Sequence, residues 1–407
     1  MAKATRISAL RNSQFCLLPS AFCLLLLTSC ATTTTSPLRQ AIDSEIAKFP
    51  RALWFADVED DNGHVLYARN ASLLAVPASN RKLAAAVTIA NCLGTDTRLA
   101  TTIWRDGDDL VVSGDGDPSL GSWRYERDND FDVVANALRA RGITRVRDLV
   151  ADVSSFGDRI TIPPAWKVNY LPETYGAPVD AIAWEENGAN GHSIPDPGMF
   201  ALAALRDALV LHGIAVDGTL RVNTTAHALN EQMGEKLLEI PSPFVGQLLT
   251  TVLKNSQNLY TEMLFKRASD GTYASSFARE RALLASDIGA RGDAFRFVDG
   301  CGLAPDDLVA AETTVKILRW MNDPARRGFW WTVLAQPGEE GTLHRRVVAL
   351  HDRMRGKTGT LNGVNALSGI IAMPDGHYRY FSLMVNHQAS DADAEDALDA
   401  MALAIAR

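Results

Sequence analysis

The run from Pro77 to Gly94 constrains the fold most. It reads as one helix stopped by Gly94, and its body from Leu83 to Cys92 is almost wholly apolar. A helix that is apolar on every side must be buried on every side, and this one is far too short to cross a bilayer. It therefore belongs inside a large globular domain. The one polar cluster lies in its first turn, where Ser79 and Lys82 stand three residues apart and share a helix face. A serine hydroxyl is a weak nucleophile until a partner takes its proton, and a lysine can do that only when neutral. Desolvation at the mouth of a buried helix favours the neutral amine, and the helix N-terminus adds backbone N–H groups for a developing oxyanion. S-x-x-K is a pattern that chance also produces, so the rest of the chain decides its meaning.

The 407 residues exceed one average core and suggest two or three domains. Hydrophobic residues at 47% and charged residues at 22% are ordinary for a globular chain. A formal charge of −8, with no K/R-rich run and no zinc-finger spacing, argues against nucleic acid as a partner. Lys3, Arg6 and Arg11 precede an apolar stretch from Phe15 to Leu27, the layout of a secretory signal. It ends in Leu27-Thr28-Ser29-Cys30, which resembles the lipobox of bacterial lipoproteins. Residues 1–29 then form the signal peptide, Cys30 is lipidated as the new N-terminus, and residues 30–40 make a tether, polar from Thr32 to Pro37. An ordinary cleaved signal with an incidental cysteine is the alternative. The expected location is periplasmic and lipid-anchored, and Ala31 after the cysteine favours the outer membrane if the cell is Gram-negative, by a rule general to lipoproteins. Loss of the three leader cations takes the charge from −8 to −11. Of five cysteines, only Cys92 and Cys301 then stay free, and neither spacing suggests a metal or redox site. No cofactor and no metal is expected.

Ala52 to Glu59 and His64 to Asn70 read as a hairpin across Asn62-Gly63, leading into the serine helix. A matching hairpin closes the chain, Ala366 to Met373 and Tyr378 to Val385, followed by Ser390 as cap of an alanine-rich helix to Arg407. Together the ends predict an α/β (α+β) domain, an antiparallel sheet flanked by helices, from residues 41–94 and 242–407. Residues 95–241 change texture to short β runs broken by Gly, Asp and Pro, with helices only at Asp132 to Arg141 and Gly198 to Leu211, and read as a β-rich inserted region. Gly114-Asp115-Gly116-Asp117-Pro118 within it lacks the spaced ligands of a calcium loop and reads as a turn.

Helical periodicity returns from Pro243 to Ala268, broken by Lys254 to Tyr260, where a tight turn between helices aims Ser256 and Asn258 the same way. Arg355 to Thr360 runs into a β-type segment, which places Lys357 and Thr358 at the end of an edge strand where a substrate backbone could pair. S-x-x-K, S-x-N and K-T-G in that order form the set of penicillin-binding proteins and β-lactamases. Asn258 to Leu264, Gly114 to Leu120, Thr342-Leu343, Lys357 to Val364, and the Asp299-Gly300 and Gly302-Leu303 segment extend the likeness. The chain resembles the D-alanyl-D-alanine carboxypeptidase/endopeptidase family, the class C low-molecular-mass penicillin-binding proteins.

That resemblance implies a β-lactamase/transpeptidase-like domain split by an insertion, peptidoglycan stem peptides as substrate and β-lactams as inhibitors. Ser79 would attack the carbonyl of the penultimate D-alanine with Lys82 as base, and Lys357 would hold Lys82 neutral by like-charge repulsion. Ser256 would relay a proton to the leaving amine, and Asn258 would bind a substrate amide or hold Lys82. Thr358 and Lys357 would face the terminal carboxylate, the N–H groups of Ser79 and Thr360 would form the oxyanion hole, and Gly359 would complete that substrate-binding wall between Thr358 and Thr360. Two departures stand out. Only 177 positions separate Ser79 from Ser256, short for two inserted domains, and Cys301-Gly302-Leu303-Ala304-Pro305 stands where the family shows Ser, Gly, Leu, Ser, Arg. Cys301 near the site makes thiol sensitivity an expectation. A serine β-lactamase and an inactive cell-wall binding lipoprotein remain alternatives, and oligomeric state stays open.

Overall fold

In the computed structural model the described residues are 36–224 and 234–407, so the signal peptide and Cys30 lie outside them. Alternation along the terminal strands decides the architecture. In Leu53–Asp60 (β1), Trp54, Ala56 and Val58 enter one apolar core and Phe55 another. In Tyr378–Asn386 (β10), Phe381, Leu383 and Val385 join the first core, while Tyr380 and Met384 join the second. A strand that is apolar on both faces needs cover on both. With Val65–Arg69 (β2), Met354–Leu361 (β8) and Val364–Ala372 (β9), these strands make an antiparallel sheet ordered β8-β9-β10-β1-β2. Pro37–Ile46 (α1) and Asp391–Ile405 (α8) cover one face. Lys82–Leu93 (α2) and Ala311–Met321 (α7) cover the other. The antiparallel sheet flanked by helices is therefore as the terminal hairpins predict.

Two boundaries differ from expectation. A tether over residues 30–40 is the expectation, yet α1 begins at Pro37, a residue suited to the first helical turn, and buries Ile42 and Ile46 against the sheet. The segment Pro77 to Gly94 is also not one α-helix, because Ala78–Arg81 forms a 3-10 turn ahead of α2. Lys82 through Ile89 are all buried, as an all-round apolar helix requires.

The inserted stretch contributes a second five-stranded sheet from Arg98–Asp106 (β3), Asp109–Ser113 (β4), Leu149–Asp152 (β5), Leu220–Asn223 (β6) and Glu235–Phe244 (β7), in the order β6-β5-β4-β3-β7. Strands β6, β5 and β4 run parallel, while β3 pairs antiparallel with both neighbours. Asp130–Ala140 (α3) and Pro197–Leu211 (α4) supply apolar faces to its core. That core does not close on itself: Leu259, Met263, Cys301, Leu303 and Ala304 complete it from the terminal part of the chain. Pro37–Arg407 is accordingly one compact unit, and the insertion forms a wall of the catalytic half.

Candidate active site

The nucleophile turn is shaped by two neighbours that lack a side chain. A Cβ on Gly302 would stand 2.0 Å from the Ala78 carbonyl oxygen, and one on Gly359 would stand 2.7 Å from Pro77 O and 3.0 Å from Ser79 N. The close approach wedges Ala78, at φ 47°, and Ser79 between the 302 segment and edge strand β8. In a 3-10 turn residues i and i+3 eclipse, which brings Lys82 Nζ to 3.1 Å from Ser79 Oγ. Asn80 turns its amide nitrogen to the β8 carbonyls of Lys357 (2.9 Å) and Thr358 (3.3 Å), the orientation that pairs donors with acceptors. Arg81 anchors the opposite side. Buried with its partner, it makes two bonds of 2.6 and 2.9 Å to Glu280, donates to Asp299 O at 2.9 Å and lies 3.9 Å over the Phe297 ring.

Lys82 is fully buried, and beyond its contact with Ser79 Oγ it donates to Asn258 Oδ1 at 2.6 Å and to Cys301 O at 2.7 Å. Both of those oxygens can only accept. A neutral amine satisfies them with its two N–H bonds and leaves its lone pair toward the Ser79 hydroxyl, which is the arrangement a general base needs. Burial pushes the Lys82 amine below its usual range and Arg81 adds to that, while Cys301, Asp299 and Glu262 oppose it.

Helices Val245–Lys254 (α5) and Asn258–Arg267 (α6) deliver the second motif. Ser256 sits between them at φ 61°, in the left-handed region that turns the chain and points its hydroxyl to Lys357 Nζ, 2.8 Å away. Asn258 opens α6, with Oδ1 on Lys82 and Nδ2 donating to Tyr175 O at 2.8 Å. Lys357 lies in the middle of β8 and not at the end of a strand, because pairing with β9 starts three residues earlier at Met354. It is fully buried and also donates to Thr358 O at 2.8 Å. Burial, with Lys82 adding like-charge repulsion, holds the Lys357 amine well below its usual range. The like-charge repulsion expected from the sequence acts between these two buried amines, and Arg81 adds a further cation beside Lys82.

Ser79, Ser256, Asn258 and Thr360 line one cavity of about 570 Å³, with Tyr170, Tyr175, Leu303, Leu361 and Asn362. Thr358 is buried, 7% exposed, and the cavity wall on this strand is formed by Leu361 and by Thr360, the latter two residues along and on the same face as Thr358. Gly359 packs against Pro77 and Ser79 instead. A second cavity of about 380 Å³ shares Tyr175, Ser256 and Asn258 and continues over Trp123, Arg124 and Glu186 of the insertion.

Beneath the turn, Glu262 accepts from Gly300 N (2.9 Å), Cys301 N (2.6 Å) and Tyr273 Oη (2.9 Å), which orients the Cys301 carbonyl toward Lys82. Burial, and then the charge of Asp299, raise the Glu262 carboxyl to about 7. Asp299, although burial opposes it, is held below the usual carboxylate range by Asp307 and by N–H groups that include Gly302 N at 2.6 Å, Trp166 Nε1 at 2.9 Å and Ala304 N at 2.7 Å. Cys301 itself is fully buried, and burial, Asp299 and Glu262 push its thiol well above the usual range. The expected thiol sensitivity does not fit this environment, since a reactive thiol needs an exposed, stabilised thiolate. What Cys301 offers the site is its backbone oxygen. The motifs carry no signal for the Cys301 carbonyl, Glu262 or Arg81. A backbone group leaves no sequence signal, but a glutamate on the buried face of α6 and an arginine inside the serine motif are visible anomalies.

The profile of the family described as D-Ala-D-Ala carboxypeptidase 3 (S13) matches residues 38–192 and 189–407. The D-alanyl-D-alanine carboxypeptidase of Actinomadura sp. (strain R39) is 26% identical over 428 residues, covering 82% of this chain and 78% of that protein. Carboxypeptidase DacB of Mycolicibacterium smegmatis is 25% identical over 405 residues, covering 92% and 85%. Among solved structures, penicillin binding protein 4 (dacB) from Haemophilus influenzae shares the fold with a TM-score of 0.79 at 19% identity, covering 89% of this chain and 98% of that one.

Proposed function

The chain belongs to the D-Ala-D-Ala carboxypeptidase 3 (S13) family, and from that premise we propose that Ser79 is the nucleophile of a serine-type D-alanyl-D-alanine carboxypeptidase/endopeptidase acting on peptidoglycan stem peptides. The observation that carries the assignment is the partner set of Lys82: two acceptor-only oxygens at 2.6 and 2.7 Å, and Ser79 Oγ at 3.1 Å. Lys82 takes the Ser79 proton as Oγ bonds to the carbonyl carbon of the penultimate D-alanine. The resulting oxyanion is met by the N–H groups of Ser79 and Thr360. The C–N bond then breaks, the leaving amine takes the proton that Lys82 gained from Ser79, relayed by the Ser256 hydroxyl, and an acyl-Ser79 ester remains with Lys82 neutral again. Lys82 next draws a proton from water, which hydrolyses that ester and regenerates the serine. Asn258 keeps Lys82 in place, and Lys357 orients the Ser256 hydroxyl.

Release of free D-alanine from a stem pentapeptide ending in D-Ala-D-Ala tests this directly. The rate is expected to rise with pH as Lys82 loses its proton, along a limb below the ordinary lysine value of 10.5, since burial lowers this amine. Penicillin should abolish the release at one equivalent per chain. Release that penicillin leaves untouched contradicts the assignment.

We further infer a lipid anchor at Cys30 and a periplasmic location, supported by Lys3, Arg6 and Arg11 ahead of the apolar stretch and by Leu27-Thr28-Ser29-Cys30. Metabolic labelling with palmitate should mark the expressed chain and not Cys30→Ser. Equal labelling of both excludes the anchor.

A further inference from the structure

The S-x-N turn is gripped from the insertion side by a carboxylate that belongs to none of the motifs. Glu186 lies in a segment where Glu185, Glu186 and Asn187 take φ 47°, 57° and 53° in succession. Left-handed backbone is uncommon for residues other than glycine, and three in a row persist only where the surroundings hold them. What holds Glu186 is its side chain, only 14% exposed. Its Oε1 accepts from Arg124 Nε at 2.7 Å, Ser122 Oγ at 3.0 Å and Tyr260 Oη at 3.2 Å. Its Oε2 accepts from Gln257 Nε2 at 2.9 Å.

Gln257 is the unspecified middle residue of S-x-N. Its amide is used at both ends, because Oε1 also accepts from Tyr260 N at 3.4 Å as the cap of α6. A carboxylate only accepts and a backbone N–H only donates, so the amide has one permitted orientation. On either side of it stand Ser256, in left-handed backbone with its hydroxyl on Lys357, and Asn258, whose Oδ1 sits on Lys82. We propose that Glu186 is a positioning residue for the reaction: through Gln257 it fixes the turn that carries Ser256 and Asn258, so that the insertion sets the geometry of the catalytic centre. This rests on the reading of Ser79 as the nucleophile.

Misplacement of a catalytic group by about 1 Å costs on the order of 100-fold in rate, so the effect belongs in the chemical step. The test is rapid-mixing acylation by a fluorescent penicillin, resolved into a dissociation constant and a limiting acylation rate. Glu186→Gly removes the carboxylate while suiting the left-handed backbone, and Gln257→Ala leaves the insertion untouched. Each should lower the limiting rate about 10- to 100-fold, with the dissociation constant changed by less than about threefold and Ser79 still the labelled residue. The double variant should be no slower than the slower single one, because both act through one link. A limiting rate in Gln257→Ala equal to wild type, or losses that multiply in the double variant, overturns the proposal. If Glu186→Gly does not fold, Gln257→Ala decides alone, since a merely structural contact would lower melting temperature without slowing the step per active site. Wild-type protein that is not acylated at all sinks the nucleophile assignment, whereas acylated wild type with equally fast variants sinks only this inference.

Discussion

Ser79→Ala is expected to lose peptide cleavage by a factor on the order of 10⁴ or more, with the fold intact, because the variant has no atom to form the acyl-enzyme. The substitution removes one hydroxyl from the cavity wall, and the hydrogen bonds that position the turn are made by Asn80 and Arg81 and remain. Lys82 keeps two of its three partners, Asn258 Oδ1 and Cys301 O. Melting temperature should therefore stay close to wild type, while D-alanine release falls to background and no penicillin adduct forms. Retained cleavage would move the nucleophile elsewhere, with Ser256 the first candidate, since it lines the same cavity and its hydroxyl lies 2.8 Å from Lys357 Nζ.

Lys82→Met should lose the next largest factor, about 10²- to 10⁴-fold in acylation, the usual contribution of a positioned general base. Methionine matches the length of the stem, so the apolar contacts along α2 survive. The cost is at the tip, where Asn258 Oδ1 and Cys301 O lose their donor inside the protein, at roughly 1–3 kcal/mol each if water does not replace it. Two readouts separate chemistry from stability. Thermal unfolding reports the lost donors, and the pH profile reports the base: the wild-type acylation rate climbs as the lowered Lys82 amine deprotonates, and the residual rate of the variant should lack that limb. A variant that keeps the same rise with pH would assign the limb to another group. Lys357 is the foremost candidate, since burial and Lys82 lower it as well.

The sequence made these residues legible because their spacing encodes their contact. Ser79 and Lys82 meet within one turn, Ser256 and Asn258 within another, and Lys357 to Thr360 along one strand. The sheet was readable for the same reason, since alternation along β1 and β10 is a local property. What stayed hidden depends on partners far along the chain. Arg81 and Glu280 are 199 positions apart and share two bonds, so neither could be placed from its neighbours. The depth of Lys357 follows from β8 pairing with β9 and from the packing of Gly359 against Ser79, which a Lys-Thr-Gly run does not announce. Cys301 drew notice as a thiol, although its contribution is a carbonyl oriented by Glu262 through the preceding N–H groups. S-x-N leaves its middle residue unspecified, so the motif carries no signal for Gln257, whose link to Glu186 spans 71 positions.

The same division explains the domain reading. Texture alone separates residues 95–241, and these build most of the second sheet, whose last strand, β7, runs past the expected boundary to Phe244. Only the packing reveals that Leu259 and Met263 of α6, together with Leu303 and Ala304, close the core of that sheet. An insertion sealed on the helix that carries Asn258 is mechanically joined to the active site, whereas one tethered by linkers would not be.

The assignment of Ser79 is tested most directly by intact-mass spectrometry of the chain from Ser36 onward, incubated with penicillin and followed by peptide mapping of the adduct. One penicilloyl group per chain, carried on Ser79, held for minutes or longer and absent from Ser79→Ala, is the predicted result. An adduct on another residue, rapid turnover of the drug without a lasting adduct, or an unmodified chain would contradict a serine D-alanyl-D-alanine peptidase built on Ser79.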